Sequence, residues 1–405
     1  MDSNINKFAT WKNLTDICSR SKFDENVTER SFSQGFLGNC GMIAAMATLA
    51  ANPALFNKVV GSNKNFENVL LRATEKPLRF VFNLYKNGKS YKVVVDEKLP
   101  YIPFWNKLFY SNSPKNNFLG PLLEKALIHL HFNGKYKSAK GVPALMILSS
   151  FTNSFFEEFR GFSDEIYDVI HHGIKTKSLM VFSFKRNVLK FKYILFSYHC
   201  YTFIDIEGDL VKLYNPHGNY VQIPKHKFYS YLNKYMKRIQ ICYLDNNIYR
   251  MAEFRFSKEF TETLPRIQNN INCSHFNFVL TVKENHTDVL INLIHKHKPT
   301  DKHNFLKPRL YIISLEKGNY SEKEGIRMYK FDTKEDDEVV VKKSQLNSIR
   351  ANLKSGSYKV KFKLSGSGTT EGFSRYLENG GNEFFIRLGA AKPYKFDIEN
   401  EKNKP

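Results

Sequence analysis

Gln34-Gly35-Phe36-Leu37-Gly38-Asn39-Cys40 decides how this chain reads, because it sets a thiol at the start of a helix. Two glycines permit a tight loop and Asn39 is suited to cap a helix. Cys40 to Ala51 then runs through Ala, Met, Leu and Ile, and Asn52-Pro53 is predicted to stop it. A cysteine at a helix N-terminus meets the positive end of the backbone dipole, which favours thiolate over thiol. Gln34, on the same loop, carries an amide able to donate to an oxyanion formed at that thiol. Taken alone, the segment fits a buried packing cysteine at least as well.

Two further residues give the thiol a chemical context. His199 lies in the β-rich run Ser197 to Phe203, and Leu210 to Tyr214 reads as the returning strand, with Glu207-Gly208-Asp209 as the turn. Asn215 follows directly, in Asn215-Pro216-His217-Gly218. A lone histidine on a strand is usually structural, and Asn-Pro is ordinarily a turn opener. Such a hairpin nevertheless carries His199 and Asn215 to adjacent strand ends. Thiol, imidazole and an amide to fix the imidazole are the set that nucleophilic thiol catalysis requires.

The rest of the chain divides by pattern. Arg79 to Tyr85 and Ser90 to Asp96 are β-rich runs joined through Asn87-Gly88, a strong hairpin signal. Pro121 to Phe132 is predicted as a buried helix ended by Asn133-Gly134. Leu179 to Phe184 and Ile239 to Leu244 read as strands. Beyond Asp245, short strands are expected at His275–Val282, Val289–Leu293, Leu310–Leu315, Ile326–Phe331, Tyr358–Leu364 and Glu383–Leu388, the spacing of a separate β-sandwich. The charged end, Glu399 to Pro405, is expected to fray.

Composition bounds the function. The chain has 405 residues, 42% hydrophobic and 15% aromatic, which is too apolar for disorder and ample for more than one core. Met1 to Trp11 is polar, unlike a secretory signal, and the most apolar early segment, Met42 to Ala51, is about half the length of a membrane helix. A soluble, cytoplasmic protein is expected. Five irregularly spaced cysteines (Cys18, Cys40, Cys200, Cys242, Cys273) fit neither a disulfide framework nor a zinc site, which favours a reducing compartment. The net charge of +22, dense over Lys225 to Arg238, favours acidic partners such as an anionic membrane surface. Solvated lysines explain the charge as well, and nucleic acid is not the expected partner.

The ordered motifs resemble the calpain family of cysteine proteases. Calpains carry Q-G-x-L-G-[DN]-C-W, a V-V-V-D-D-x-L-P strand, an L-L-E-K-A helix, G-H-A-Y and N-P-W-G. This chain has Gln34 to Cys40, Val93 to Pro100, Leu122-Leu123-Glu124-Lys125-Ala126, His199-Cys200-Tyr201 and Asn215-Pro216-His217-Gly218, in that order. Phe276 to Val282, Leu353 to Val360 and Phe384 to Leu388 resemble strands of the family's β-sandwich. The resemblance implies an α+β chain: a two-lobed, papain-like protease core followed by an all-β sandwich. Lobe 1 would span 1–138 with Cys40, lobe 2 139–248 with His199 and Asn215, the sandwich 249–397, and 398–405 a tail. It implies a cysteine endopeptidase acting on protein substrates, with Cys40 as nucleophile, His199 as base, Asn215 orienting it, and Gln34 at the oxyanion. Gly38, Gly141, Tyr198 and His217 would border the substrate.

The chain departs from the family pattern at Gly41 and His217, each in place of a tryptophan, and at Tyr198, in place of a glycine. Tyr198 narrows the pocket unless its side chain points away. The family's calcium positions hold Ser31 and Lys137, and Asn219 to Lys237 contains no acid. No EF-hand spacing occurs, and the acidic loop Asp332 to Glu338 reads as solvated. No cofactor is therefore required by the sequence; calcium stays open as a ligand, but its usual ligands are not matched. Two other functions stay open: a catalytically silent relative serving as an interaction module, and a basic protein binding anionic lipid or nucleic acid.

Overall fold

Alternating apolar residues and an Asn-Gly corner build the first hairpin. Phe80, Phe82 and Leu84 are buried along Arg79–Lys86, the period-two pattern of a half-buried strand. That strand pairs antiparallel with Lys89–Asp96, and Asn87 (φ 51°) and Gly88 (φ 70°) supply the left-handed pair that a two-residue turn needs. The computed structural model describes residues 9–18, 27–61, 78–112, 117–159, 165–185, 188–190, 193–244, 250–256, 271–284, 287–295, 309–317, 339–341, 346–353, 355–367, 384–390 and 394–397. The chain forms two units, Met1–Leu244 and Asp245–Pro405, with mixed helix and strand content of the α+β kind.

In the first unit, every residue of helix Cys40–Ala47 after Cys40 is buried, as a helix apolar on all sides demands. It tightens into a 3₁₀ turn at Thr48–Ala51. Asn52-Pro53 ends that segment and also starts the next helix, Pro53–Val60, where Asn52 Oδ1 accepts the Leu55 N–H at 3.0 Å. The predicted stop is thus a start too, because proline at the first helical position loses no hydrogen bond.

Helix Leu119–Phe132 begins two residues before the predicted one and ends at left-handed Asn133 and Gly134. Its Lys125 ammonium is held by Asp96 Oδ1 at 2.6 Å and by the Asp96 and Lys98 carbonyls at 3.0 and 2.7 Å. Burial pushes the Asp96 carboxyl up, but the bond and charge of Lys125 outweigh it and hold that carboxyl below its ordinary value. The hairpin and this helix are thereby locked together.

Six antiparallel strands complete the unit in the order Asn219–Pro224, Leu210–Asn215, Cys200–Glu207, Leu179–Phe184, Met236–Cys242, Phe156–Phe159. Helix Cys40–Ala47 packs on strands Cys200–Glu207 and Leu179–Phe184 and against helix Ala144–Phe151. Two expectations need correction here. His199 lies just before its strand, because Tyr198 adopts a left-handed φ of 55° and the ladder begins only at Cys200 opposite Ser183. Asn215 is the last strand residue rather than a turn residue, since it pairs with Asn219 across Pro216-His217-Gly218. The strand predicted at Ile239–Leu244 runs Met236–Cys242.

The second unit contains two antiparallel sheets among the described residues. One orders Arg250–Phe256, Phe384–Ala390, Thr287–His295 and Leu346–Leu353. The other orders Val339–Val341, Arg309–Lys317, Gly356–Ser367, Ile271–Val282 and Tyr394–Asp397. Four of these strands (Arg250–Phe256, Val339–Val341, Leu346–Leu353, Tyr394–Asp397) were not expected as separate elements. The predicted strand Ile326–Phe331, the acidic loop Asp332–Glu338 and the tail from residue 398 lie outside the described residues.

Candidate active site

The loop that leads into Cys40 is fixed from three sides. Gly35 approaches the Tyr110 carbonyl so closely that a Cβ would lie 1.4 Å from it, and the Phe36 N–H donates to the Phe109 carbonyl at 3.1 Å. The Gln34 N–H donates to the Pro216 carbonyl at 2.8 Å, which ties the loop to the turn after Asn215. Asn39 occupies the helix-cap position, but its side chain does not cap. Its Nδ2 donates instead to Glu124 Oε1 at 2.7 Å, while the Ser111 N–H donates to Glu124 Oε2 at 3.0 Å. Burial pushes the Glu124 carboxyl above its ordinary value. Glu124 therefore anchors the residue immediately before the thiol, a role that the motif Leu122 to Ala126 does not reveal by itself.

Cys40 is the first residue of its helix, and its thiol is lowered to about 4. The largest cause is a hydrogen bond from the Cys200 thiol, opposed by burial; a bond to His199 and the His199 charge lower it further, as does the Cys200 N–H. A thiol lowered in this way favours the thiolate form at neutral pH. Cys200 itself is pushed up, first by that bond to Cys40 and then by burial. Cys200 was not among the expected site residues. Its only sequence signal was a sulfur in place of alanine next to His199.

His199 and Asn215, 8% and 2% exposed, meet through His199 Nε2 and Asn215 Oδ1 at 2.8 Å. Asn215 Oδ1 also accepts the His217 N–H at 3.0 Å, so that atom is an acceptor and His199 Nε2 carries the proton. The other ring nitrogen, Nδ1, is thereby left for Cys40. Strand and helix are joined directly behind the pair, where Thr202 Oγ1 donates to the Ala44 carbonyl at 2.7 Å.

The remaining expected residues fall around this centre. Gln34 Nε2 donates to the Leu37 carbonyl at 2.7 Å, which leaves its second amide hydrogen uncommitted to that bond. Gly141 donates its N–H to the Gly38 carbonyl at 2.8 Å, so the two glycines sit side by side, both exposed. His217 stacks on His199. Tyr198 is 71% exposed with the Lys237 ammonium 4.1 Å from its ring centroid, turned toward solvent. Phe36, 58% exposed, stacks on Trp105 at 5.4 Å and forms an aromatic shelf beside the loop. Gly41 explains the lost tryptophan: a Cβ there would lie 2.4 Å from the Val142 carbonyl oxygen.

Neither residue at the positions that the resemblance assigns to calcium brings a carboxylate. Ser31 accepts the Thr28 N–H at 3.3 Å and Lys137 brings an ammonium. Among the described residues no group of three or more His, Cys, Asp or Glu is placed to hold a metal ion. Calcium prefers several hard oxygens, usually with carboxylates among them. None of Cys18, Cys40, Cys200 and Cys242 is in a disulfide. Among the described residues no single helix is long and apolar enough to cross a membrane.

Comparison with known proteins agrees with this geometry. The family model described as calpain family cysteine protease matches residues 2–225. Mouse calpain-12 is 30% identical over 182 residues, 44% of this chain and 24% of the relative. The calpain-1 catalytic subunit of Macaca fascicularis is 31% identical over 173 residues (42% and 23%), and mouse calpain-8 is 32% identical over 160 residues (39% and 20%). The chain thus covers about a quarter or less of the length of these relatives. With more than half of its residues matched by that family and Cys40, His199 and Asn215 converging in its first unit, the chain belongs to the calpain family of cysteine proteases.

Proposed function

We propose that this chain is a thiol endopeptidase in which Cys40, His199 and Asn215 form the catalytic set. The observation that carries the reading is the convergence of a low-pKa thiol with an imidazole whose tautomer is fixed by Asn215. The Cys40 thiolate would attack the scissile carbonyl, with the oxyanion taken by the Cys40 N–H and the second amide hydrogen of Gln34. His199 would deliver a proton from Nδ1 to the leaving amine and then activate the water that releases the acyl group. Gly38 and Gly141 would receive the peptide backbone, where the absence of side chains leaves room.

Protein chains are the proposed substrates, bound between lobes at 1–138 and 139–248, in a cytoplasmic setting that keeps Cys40 reduced. The C-terminal unit is proposed to pack its two sheets as a β-sandwich. The donor set at Ser31 and Lys137 supports activity without calcium. The helix Lys225–Tyr235 and the adjoining Lys237 and Arg238 suit an anionic membrane surface, which salt-dependent sedimentation with acidic vesicles tests.

A thiol-directed epoxide tests the catalytic reading. Cys40 is expected to be labelled in the folded protein, with a rate that holds as pH falls from neutral and halves only near the thiol's value of about 4. A Cys40 that resists the reagent, or reacts only above pH ~8 as an ordinary thiol does, would support the catalytically silent alternative.

A further inference from the structure

Cys200 has no place in the catalytic set, yet two independent features set its sulfur against that of Cys40. The first is registry. The buried bond from Thr202 Oγ1 to the Ala44 carbonyl pins the strand to the helix. Strand alternation puts Cys200 on the same face as Thr202, and helical spacing puts Cys40 on the same face as Ala44. Two strand residues advance about 6.7 Å and four helical residues about 6 Å, so the two spacings match. The second feature is that the two thiols lie close enough to perturb each other, Cys40 being lowered and Cys200 raised by the pair.

We propose that Cys200 is a resolving thiol, which closes a reversible disulfide with Cys40 when a hydroperoxide oxidises the nucleophile. This inference rests on the proposed nucleophilic role of Cys40. In the first step the Cys40 thiolate attacks one peroxide oxygen and the O–O bond breaks. Sulfenic acid forms on Cys40, and hydroxide leaves to become water on taking a proton. In the second step the Cys200 sulfur gives up its proton and attacks the Cys40 sulfur. The S–O bond breaks, a second water leaves, and the S–S bond forms. Two electrons have passed from the cysteine pair to the peroxide. A dithiol reverses the change by two exchanges, restoring both thiols and becoming a disulfide itself.

The charge balance suits this order of events. Ionised Cys40 is the thiol on which a peroxide acts first. Cys200 is held protonated mainly by its bond to that thiolate, a restraint that vanishes once Cys40 carries oxygen. Cys242 is a poor competitor, because it pairs with Leu179 while Cys200 pairs with Ser183, four residues along the same strand and about 13 Å away.

The test is equimolar hydrogen peroxide on the full chain, followed by alkylation, digestion and non-reducing mass spectrometry, on wild type and Cys200→Ala. A cross-link between the Cys40 and Cys200 peptides, removed by a dithiol, is expected in the wild type. Sulfinic acid, as a fraction of all oxidised Cys40, is expected to be about tenfold lower in the wild type than in Cys200→Ala, a ratio that a change in the rate of the first oxidation does not move. Equal sulfinic fractions would overturn the proposal, as would Cys40 joined to Cys18, Cys242 or Cys273. The wild-type cross-link needs no variant, so misfolding of Cys200→Ala does not blunt the test. Epoxide labelling of the reduced protein is read separately. Its failure would remove the proteolytic reading while the cross-link still decides for or against the pair.

Discussion

The imidazole of His217 lies parallel to that of His199, with ring centroids 4.7 Å apart and planes 5° apart. The family motif has a tryptophan here, and a second aromatic ring in its place keeps a flat wall against the His199 face. Partial burial, then the charge of His199, lowers the His217 pKa, while Cys40 opposes the shift. A neutral ring can stack on His199 without like-charge repulsion.

Removing the stack should loosen His199. His217→Ala is expected to lower kcat/KM roughly 2- to 10-fold, the equivalent of the 0.5–1.5 kcal/mol of an aromatic pair, with His217→Trp restoring it. The lowered pKa also sets a pH sign. As pH falls below the ordinary histidine value, protonated His217 adds a cation beside His199, so wild-type kcat/KM should fall more steeply than that of His217→Trp. Steady-state peptide hydrolysis from pH 7.5 to pH 5 checks both.

Gly41 is expected to tolerate no side chain. Its missing Cβ faces the Val142 carbonyl and the Ala144 nitrogen, both backbone atoms that cannot swing aside. Gly41→Ala should cost about 1–3 kcal/mol of stability by urea unfolding, and Gly41→Trp more, although tryptophan is the family's usual residue there. A stable Gly41→Trp protein would contradict the close packing of helices Cys40–Ala47 and Ala144–Phe151.

How much of this was legible in the sequence depended on range. The Asn87-Gly88 corner, the helix ended by Asn133-Gly134 and strand Leu179–Phe184 were readable because turn chemistry and local periodicity decide them. Cys40, His199 and Asn215 were nameable through ordered motifs, and their meeting needed the six-stranded sheet. The exact start of the His199 strand was not readable, because a tyrosine at positive φ violates the local rule that assigns such positions to glycine. Asn39 was read as a cap because nothing local reveals a glutamate 85 residues away that takes its amide. Cys200 escaped for the same reason: only the registry with Ala44 shows which way it faces. The second unit's extra strands pair across long separations and carry weaker turn signals.

Acid stability should be governed in part by His131, remote from the site. It is buried, its ring nitrogen lies 2.7 Å from Ser150 Oγ, and that hydroxyl donates to the Met146 carbonyl, so the imidazole is the donor. Burial, helped by Lys86, lowers its pKa to about 3. The unfolded chain then binds more protons than the folded one between about pH 3 and the ordinary histidine value near 6.5, so stability rises with pH across that window and is flat above it. The slope is at most about 1.4 kcal/mol per pH unit for one group. His131→Phe should flatten the curve measured by urea unfolding between pH 4.5 and 7.

Cleavage of an unfolded protein such as casein, followed by gel in excess calcium chelator for wild type and Cys40→Ala, tests the central claim most directly. Discrete fragments from the wild type and none from Cys40→Ala are expected. Fragments that persist in Cys40→Ala, or a wild type that cuts nothing with or without calcium, would contradict it.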